Sequence, residues 1–389
     1  MSNLVCLEHL ESYDIDLVQQ SVEICFNKLN MADLLKDKKT VLLKVCLPRD
    51  SYPDSAQTTH PSVVRAVVNI LTNYGIKCVV ADSPYGNYSI SNLDRVYINS
   101  GMLEVANQTN CELNHNLKTC VMENPDGFMW KSLTLLDVVN NVDAIINLGK
   151  LKIDSTLVYF GASANLFGLV PGEVKTEILN RLTTLKDFYN YNLDIYQVLE
   201  GKLVLNVLDA VVAMEAENTP RMFYCLGVSK NCFSLDETII DILDISKEKT
   251  VINQAERRDF HTLNQNKVLA EKDLRTLKIN DFALTDFNER TLLHINEGER
   301  KKYFKNNQKR VFINGKKCKG CQICTKICPT KALTMKYDKN GELYATVDYN
   351  KCIFCYKCIT ACPYKVVDII EPNGYKKLHK EIEKINSNQ

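Results

Sequence analysis

Long apolar runs are missing from this 389-residue chain, since no stretch approaches the ~20 apolar residues that span a bilayer. The first residues, MSNLVCLEHLESYDIDL, have no basic segment followed by an apolar one, as a secretory signal would. An excess of charge of one sign is missing too, because 48 Lys and Arg stand against 47 Asp and Glu. Such a chain as a whole is not suited to bind a polyanion. We therefore expect a cytoplasmic protein with no membrane and no nucleic-acid partner.

The common nucleotide and zinc motifs are also absent. The sequence has no Walker A loop, no GxGxxG after a predicted strand and no HExxH helix. Nucleotide, nicotinamide and zinc-protease sites of these kinds therefore have no support. The six histidines are not spaced as metal ligands. Only His60 stands at a position of interest, a predicted helix start, where capping the helix and binding a ligand are both open roles.

Cysteine, by contrast, is abundant, and its distribution is uneven. Of 16 cysteines, eight are scattered singly over the first 232 residues and eight fall between positions 318 and 362. The scattered ones are Cys6, Cys25, Cys46, Cys78, Cys111, Cys120, Cys225 and Cys232. In a reducing compartment, isolated thiols of this kind are expected to be small buried hydrophobic residues. A dense cluster instead indicates metal ligation.

The dense cluster is a duplicated run, CKGCQICTKICP followed 34 residues later by CIFCYKCITACP. In chain order its cysteines are Cys318, Cys321, Cys324, Cys328, Cys352, Cys355, Cys358 and Cys362. For this spacing, three cysteines of a run hold one [4Fe-4S] cluster and the fourth ligates the other cluster. We therefore predict two clusters, one held by the first three cysteines of the first run with Cys362, the other by the first three of the second run with Cys328. Two zinc sites are disfavoured, because the runs lie too far apart and each ends in Cys-Pro.

The residues between the runs, ALTMKYDKNGELYATVDY, predict a β-hairpin that turns at Asn340-Gly341. Residues 312–371 closely resemble the duplicated bacterial ferredoxin. This resemblance implies a small α+β domain that carries single electrons at low potential. The partner it implies is a soluble electron donor or acceptor such as a ferredoxin or flavodoxin.

A basic stretch precedes the first run. Nine of the twenty residues at 300–319 are Lys or Arg, and none is acidic. Two interpretations stay open, a solvated linker and a docking surface for an acidic electron donor. Nucleic-acid binding is disfavoured, because the aromatic residues Tyr303 and Phe304 are not interleaved with the basic ones as stacking residues would be.

The remainder of the chain, before this stretch, alternates helical and strand patterns. The predicted elements are a helix within 12–35, a strand at 40–48, a helix from His60 to Gly75, strands at 76–84, 143–152 and 202–215, and peripheral helices at 246–300. Strand, helix and strand in succession imply right-handed parallel crossovers. The fold class is therefore α/β, a large N-terminal domain with a mostly parallel sheet flanked by helices, followed by the small iron–sulfur domain.

The order of six short motifs in this large domain is similar to that of a known family, catalogued only as domain of unknown function 362. The motifs are LLKVCLP, TTHPSVVRAV, VVADSP, INLGKLK, ANLFGLVPG and VLDAVVAME. The likeness covers residues 37–245 together with the C-terminal module, and it implies an architecture rather than a substrate. The implied domains are an α/β domain at 1–299, a basic linker at 300–311, the ferredoxin-type domain at 312–371 and a polar tail at 372–389.

The chain departs from the family pattern at polar positions. Cys46 stands where asparagine is usual, Ile-Asp at 153–154 replaces Thr-His, and Ala164 replaces a lysine. Glu-Ala-Glu at 215–217 interrupts a Gly-rich turn. These losses fall on residues suited to chemistry, so they favour a divergent or reduced function.

A candidate ligand pocket lies where the predicted parallel strands end. In such sheets, ligands collect beyond the carboxyl ends of the strands, near helix starts with free N–H groups. The residues placed there are Thr59, His60, Asp82, Ser83, Lys150 and Lys152, with Asn165 and Gly168 completing the wall. Lysines beside a helix start suit a small anion, a carboxylate or phosphate. In the alternative, the lysines are solvated and Thr59 and Ser83 only cap helices.

Two functions stay open from the sequence. In one, the clusters pass electrons to a site in the α/β domain, and the protein is a ferredoxin-linked oxidoreductase. In the other, the α/β domain binds a protein or metabolite, and the chain is a non-enzymatic carrier or assembly partner. Purely structural clusters are less favoured, because cubanes with eight cysteine ligands are redox-competent. A concave pocket with lysines and acidic residues indicates the enzyme, and a flat, filled surface indicates the adaptor.

Overall fold

The computed structural model describes residues 3–86, 88–154, 158–182, 184–215, 219–270, 310–328, 331–337, 340–349, 351–352 and 357–370. The chain divides into two compact units, Met1–Glu289 and Arg290–Gln389. The predicted polar tail, most of the predicted basic linker and the predicted ligand Cys355 lie outside the described residues. The predicted domain boundaries stay predictions.

Strands and helices alternate through the first unit. In chain order they are β1 (Leu4–His9), α1 (Ile15–Lys28), α2 (Met31–Leu35), β2 (Thr40–Val45), α3 (Pro61–Asn73), β3 (Lys77–Ala81), α4 (Ile90–Asn99), α5 (Met102–Gln108), β4 (Glu112–Leu113), β5 (Thr119–Glu123), β6 (Ser132–Leu136), β7 (Ala144–Asp154), β8 (Val158–Phe160), α6 (Ala162–Asn165), α7 (Gly172–Arg181), α8 (Leu185–Leu199), β9 (Leu203–Met214), β10 (Pro220–Ser229), α9 (Cys232–Ile242), α10 (Val251–Arg257) and β11 (Lys267–Ala270).

Nine of these strands form one sheet in the order β11-β1-β10-β9-β7-β2-β3-β4, with β8 paired to β7. The five strands from β9 to β4 are parallel. On the other side, β10 pairs antiparallel with both β9 and β1, and β11 pairs parallel with β1. The sheet is therefore mostly parallel and flanked by helices, as predicted.

The strand order reverses between β2 and β7. From β2 the chain passes to β3 and β4 on one side, and from β7 it passes to β9 on the other. In open α/β sheets, the loops that leave the carboxyl ends of two such strands diverge and form a crevice. The structure thus puts its switch point between the strands that carry LLKVCLP and INLGKLK.

The helix predicted within 12–35 is confirmed as α1, and a short second helix, α2, follows it after Asn30, which adopts a left-handed φ of 52°; asparagine tolerates this conformation better than most residues. One prediction about the elements of this unit was wrong in part. The polar segment after position 246 contains α10 as predicted but also β11, which pairs with the N-terminal strand β1. Pairing across more than 250 residues leaves no local signal in the sequence.

Helix start signals in the sequence correspond to observed caps. Asp14 accepts the backbone N–H groups of Asp16 and Leu17 at 3.0 and 3.2 Å, which fixes the start of α1. At the start of α3, the His60 ring nitrogen Nδ1 accepts the N–H of Ser62 at 3.2 Å, and Pro61 occupies the first helical position. Among the described residues, no helix is both long and apolar enough to cross a membrane.

The second unit is a small duplicated α+β fold. Its described elements are β12 (Arg310–Ile313), α11 (Ile323–Ile327), β13 (Leu333–Tyr337), β14 (Leu343–Val347), α12 (Lys357–Thr360) and β15 (Val367–Ile370). β13 and β14 form the predicted hairpin, and Gly341 in its turn has a φ of 81° that favours glycine. β12 pairs antiparallel with β15.

The 34-residue repeat of the sequence is also a repeat of backbone structure. Before the first cysteine of each run, the carbonyls of Asn314 and Asp348 accept that cysteine's N–H at 3.0 Å. After the last cysteine of each run, Lys331 and Lys365 have the same left-handed φ of 51°. Equivalent residues 34 positions apart therefore turn the chain in the same way before the first cysteine and after the last cysteine of each run.

Candidate functional site

Four cysteines line one cavity in the second unit. They are Cys318, Cys321 and Cys324 of the first run and Cys362 of the second. These are the four residues predicted to hold one cluster, and a set of four thiols is the ligand set that a [4Fe-4S] cubane requires. Apolar side chains, including Ile313, Ile323 and Val366, complete the lining. Of the four cysteines, Cys324 is buried and Cys321 is exposed, and exposure of the sulfurs to solvent is one factor that tunes cluster potentials.

The predicted ligand set of the second cluster is described in part. Cys328, Cys352 and Cys358 lie among the described residues, whereas Cys355 lies outside them. The Cys328 sulfur accepts the N–H of Ala332 at 3.2 Å, a bond of the kind that modulates cluster potentials. Cys358 and Cys324 are buried together in the small apolar core of this unit. The core therefore contains one cysteine from each run.

A cluster of buried polar side chains lies at the carboxyl ends of β2 and β7 in the first unit. We call it the switch-point cluster, and its members are Lys44, Cys46, Thr59, Asp82, Lys150, Lys152, Asn165, Lys175 and Asp209. All nine are at most 7% exposed. Charged side chains are almost never buried to this degree unless they are paired, so their partners decide what the cluster can do.

Lys44 and Asp82 form an ion pair across β2 and the end of β3. Lys44 Nζ lies 3.1 Å from Asp82 Oδ1 and donates to Asn165 Oδ1 at 3.2 Å. Asp82 also accepts the backbone N–H groups of Leu47 and Ser83. A Cβ at Gly168 would overlap the Asp82 carboxylate and lie 2.5 Å from Lys44 Cε. Glycine is therefore required at position 168, because the ion pair packs directly against its backbone.

A second ion pair joins β7 to β9. Lys150 Nζ lies 2.9 Å from Asp209 Oδ2 and donates to Tyr13 OH at 2.8 Å, and Tyr13 in turn donates to Asp209 Oδ1 at 2.7 Å. Asp209 also accepts the backbone N–H of His60 at 2.9 Å. Burial, only partly offset by Asp209, lowers the pKa of Lys150. The start of α3, predicted to receive an anion, is therefore already neutralised by a carboxylate of the protein.

The imidazole of His60 stacks on the ring of Tyr13, with centroids 3.6 Å apart and planes 9° from parallel. Burial lowers the pKa of His60 to about 4, against the opposing effect of Asp209. The ring is therefore neutral near pH 7, and its Nδ1 is the acceptor that caps α3. Its observed role is helix capping.

Cys46 follows β2 and connects it to β7. Its N–H donates to Thr59 Oγ1 at 2.8 Å, and the Thr59 hydroxyl donates to the carbonyl of Leu148 on β7 at 2.7 Å. Thr59 thus bridges two strands rather than capping a helix. Lys152 Nζ approaches the Cys46 sulfur at 3.3 Å and lies 4.0 Å from the centre of the Phe160 ring. A thiol and an aromatic face are the observed neighbours of this ammonium group.

Lys175, from α7, completes the cluster. Its ammonium group donates to the carbonyl of Ser83 and lies 5.1 Å from the Tyr85 ring and 5.7 Å from the Phe167 ring. Burial lowers the pKa of Lys175 to about 8, and the nearby positive charges of Lys44 and Lys152 act in the same direction while Asp82 opposes them. Lys175 is therefore in electrostatic range of the other members of the cluster.

The charges of the switch-point cluster do not balance. Four lysines face two aspartates, and each aspartate is paired with one lysine, Asp82 with Lys44 and Asp209 with Lys150. Among the side chains that the structure describes, Lys152 and Lys175 have no carboxylate within 4.0 Å. Isolated buried charges are strongly unfavourable. The excess positive charge thus suits a small anion at this end of the sheet.

The eight residues predicted for the pocket converge in space at this end of the sheet. The alternative in which Lys150 and Lys152 are solvated was wrong, because strands and loops enclose both side chains. Lys44, Lys175, Asp209 and Tyr13 were missed. Lys44 offered a signal, since a lysine inside the apolar strand TVLLKV must find a buried partner. Lys175 offered none, because a lysine on an amphipathic helix is ordinarily solvated.

Asp236 anchors the turn that closes one side of the site. It accepts the N–H groups of Ala162 and Ser163 at 2.7 and 2.8 Å and the Tyr159 hydroxyl at 2.9 Å. Burial raises the pKa of Asp236, although these donors oppose the shift. A Cβ at Gly161 would overlap the same carboxylate and the Tyr159 hydroxyl. The segment before Asn165 is thereby held rigidly against the sheet.

Two family models match the chain. A model described as Domain of unknown function (DUF362) matches residues 41–241, just over half of the chain. A second, described as a 4Fe-4S dicluster domain, matches residues 317–366. The second match places 4Fe-4S binding, the chemistry of electron transfer, on the unit that contains the cysteine cavity.

A similar protein is the Thylakoid-associated protein sll1697 of Synechocystis sp., which is 27% identical over 251 residues, 63% of this chain and 76% of the relative. Among solved structures, that of the lactate racemase apoprotein from Thermoanaerobacterium thermosaccharolyticum has a TM-score of 0.34 and 14% identity, and the similarity covers 57% of this chain. The chain spans about half of that structure, 53% of its length. The family assignment rests on the first model, whose matched segment contains nearly all of β2, the whole of β7 and β9, and all nine members of the switch-point cluster. The chain belongs to the family described as Domain of unknown function (DUF362) and carries a 4Fe-4S dicluster domain after it.

Proposed function

We propose that the protein is a redox enzyme in which two [4Fe-4S] clusters deliver electrons to a small anionic substrate in the switch-point cluster. The observation that carries the proposal is the pair of buried lysines, Lys152 and Lys175, without carboxylate partners among the described side chains. A bound carboxylate or phosphate supplies the missing negative charge. Joining an electron carrier and a binding site in one chain keeps their local concentrations high.

The residues of the site have separable roles under this proposal. Lys152 and Lys175 bind the anion by charge-assisted hydrogen bonds. The other two lysines, Lys44 and Lys150, already form ion pairs with aspartates. Asn165 connects β2 and β7 through hydrogen bonds to the Lys44 carbonyl and Asn147, and so fixes the floor of the site. Within the part of the chain that the structure describes, the buried Ser83 hydroxyl has no hydrogen-bond partner, and the carbonyl of the same residue accepts from Lys175, so this hydroxyl is an additional donor.

The proposal includes a protein that exchanges electrons with the clusters. We assign this role to a soluble acidic carrier, a ferredoxin or flavodoxin, in the cytoplasm. The basic residues at 300–319 support this choice through charge complementarity. Most of them lie outside the described residues, so the argument for this partner is one of composition.

Re-oxidation of the reduced clusters tests the proposal. The anaerobic protein is reduced with a stoichiometric amount of dithionite and mixed with small carboxylates and phosphates that carry a reducible group. We expect one of them to restore the visible absorbance of the clusters rapidly. Lys152→Met and Lys175→Met should slow that reaction by about 10–100-fold each, the loss of one charge-assisted hydrogen bond.

A matched variant and a product analysis complete that experiment. Lys118→Met removes an exposed lysine of the same unit and should leave the rate unchanged. The accepted compound should be recovered in reduced form. If no compound accelerates re-oxidation although an anion binds, the α/β domain is a binding module rather than a catalytic one.

Anion binding is expected to depend on pH through Lys175. Its pKa of about 8 lies below the ordinary 10.5, so the free folded protein releases this proton earlier than the unfolded chain does. The free protein should therefore gain stability from Lys175 as pH rises from about 8 to 10.5. An anion that binds only charged Lys175 should stabilise the protein most below pH 8 and lose its effect above it.

Unfolding in urea with and without inorganic phosphate or a dicarboxylate measures this dependence. The anion-dependent increase in the midpoint should be large at pH 7, small at pH 9.5, and nearly absent at both pH values in Lys175→Met. An increase that is independent of pH and of Lys175 would assign the anion to another surface.

The adaptor function is the second candidate, and one observation favours it. The polar groups of the switch-point cluster largely satisfy one another, and Cys46 and Ala164 occupy positions where the family pattern has polar residues. An adaptor with this site binds a metabolite or protein without turnover. Anion binding without re-oxidation of the clusters is the result that distinguishes it.

A further inference from the structure

A second group of buried polar residues lies on β1 and α1, and β1 is separated by β10 from β9, which carries Asp209 of the switch-point cluster. Cys6 and Glu8 are two residues apart on β1, so their side chains share one face of the strand. Cys25 comes from α1, which packs on that face. The Cys6 and Cys25 sulfurs and a Glu8 oxygen lie within 4.8 Å of one another. Cys6 and Cys25 are fully buried and Glu8 is 4% exposed.

We propose that Cys6, Glu8 and Cys25 bind a thiophilic divalent cation, zinc in the cell. Zinc takes thiolate sulfur at about 2.3 Å and carboxylate oxygen at about 2.0–2.2 Å, which puts ligand atoms roughly 3–4 Å apart. The three atoms reach that spacing by small side-chain rotations, since the Cys6 sulfur is already 3.7 Å from Glu8 Oε1. A water completes the tetrahedron. On binding, each thiol releases its proton to solvent.

The charge around this group supports a divalent cation. Two thiolates and one carboxylate around Zn²⁺ carry a net charge of −1. Lys28 Nζ lies 2.9 Å from Glu8 Oε1 and supplies the balancing positive charge. Hydrogen bonds from outside to a ligating carboxylate are a general feature of metal sites, because they orient the ligand. Lys28 is partly exposed, 32% of its side chain, so the site has a route to solvent.

The proposed zinc site lies on the two elements that flank Tyr13, a residue that contacts the switch-point cluster. The ligands lie on β1 and α1, and Tyr13 belongs to the segment between them. Tyr13 donates to Asp209 and accepts from Lys150 in the switch-point cluster. A zinc ion there links β1, which precedes this segment, to the last turn of α1, which follows it. Its role is to fix Tyr13, and it takes no part in electron transfer.

Metal analysis tests the site independently of the proposed function. Protein purified anaerobically from zinc-containing medium should contain about one zinc per chain in addition to its iron. Zinc-edge X-ray absorption should show two sulfur neighbours at about 2.3 Å. Cys25→Ser and Glu8→Gln should each lose the zinc while the iron content is unchanged. Cys78→Ser, at an equally buried thiol on β3, should keep it.

Three results would overturn the proposal. One is wild-type protein fully loaded with iron but free of zinc. Another is zinc that persists in Cys25→Ser, which would place the metal on the cluster cysteines. The third is a Cys6–Cys25 disulfide in peptide maps of the anaerobic protein, which would identify the pair as a dithiol. The wild-type measurements decide the matter even if a variant fails to fold.

Discussion

Replacing Cys362 with alanine is expected to remove about half of the iron and acid-labile sulfide, four of eight atoms of each, and to abolish the cluster of the first run. The reason is geometric, because Cys362 lines the same cavity as Cys318, Cys321 and Cys324 although it belongs to the second run. A cubane with three thiolates and one open position loses its iron readily. Iron and sulfide analysis of the anaerobic protein gives the stoichiometry.

Electron paramagnetic resonance of the reduced protein identifies which cluster survives. The spectrum of Cys362→Ala should match that of Cys321→Ala, whose lost ligand belongs to the first run, and should differ from that of Cys355→Ala. Cys328→Ala should show the reverse match. Cys120→Ala, at a half-buried thiol outside the module, should retain all the iron. A Cys362→Ala spectrum that matches Cys355→Ala would show that each run holds its own cluster alone.

Asp209→Asn is expected to lower the free energy of unfolding of the first unit by about 3–5 kcal/mol, the cost of leaving a buried charge unpaired. Lys150 Nζ has Asp209 Oδ2 at 2.9 Å as its counter-ion, and both residues are buried. Without the carboxylate, burial should lower the pKa of Lys150 further. The loss of stability should therefore be largest at low pH and shrink as pH rises toward the ordinary lysine value of 10.5.

The single tryptophan makes this measurement specific. Trp130 lies in the first unit, 4.8 Å from the Tyr191 ring, so urea unfolding followed by its fluorescence does not report on the iron–sulfur unit. The double variant Lys150→Met/Asp209→Asn should recover much of the lost stability, because it removes the unpaired charge. Glu177→Gln breaks an exposed pair with Arg181 and should cost less than about 1 kcal/mol. Equal losses in the single and double variants would show that the Lys150–Asp209 pair is not the cause.

The described part of the iron–sulfur unit could be predicted largely from local sequence. A duplicated cysteine run, a 34-residue period and an Asn-Gly turn predict the ligands, the repeat and the hairpin, because tight loops and short hairpins depend on nearby residues. The cavity that joins Cys362 to the first run is where the spacing rule placed it. Local rules sufficed here because a small core leaves few other ways to arrange eight cysteines.

In the α/β domain, local patterns in the sequence predicted α1, β2, α3, β3, β7 and β9, the parallel crossovers and the residues at strand ends, because apolar periodicity and helix caps are local properties. The tertiary structure alone decided what those residues contact. Lys150 pairs with Asp209, and the backbone N–H of His60 at the start of α3 donates to the same aspartate. Lys152 and Lys175 have no carboxylate partner among the described side chains. The tertiary structure also brought together Cys6 and Cys25, from a strand and a helix that no sequence pattern connects. The net charge of a buried site depends on which side chains come into contact across the sheet. Strand order and helix packing determine those contacts, and they join residues that are far apart in the chain.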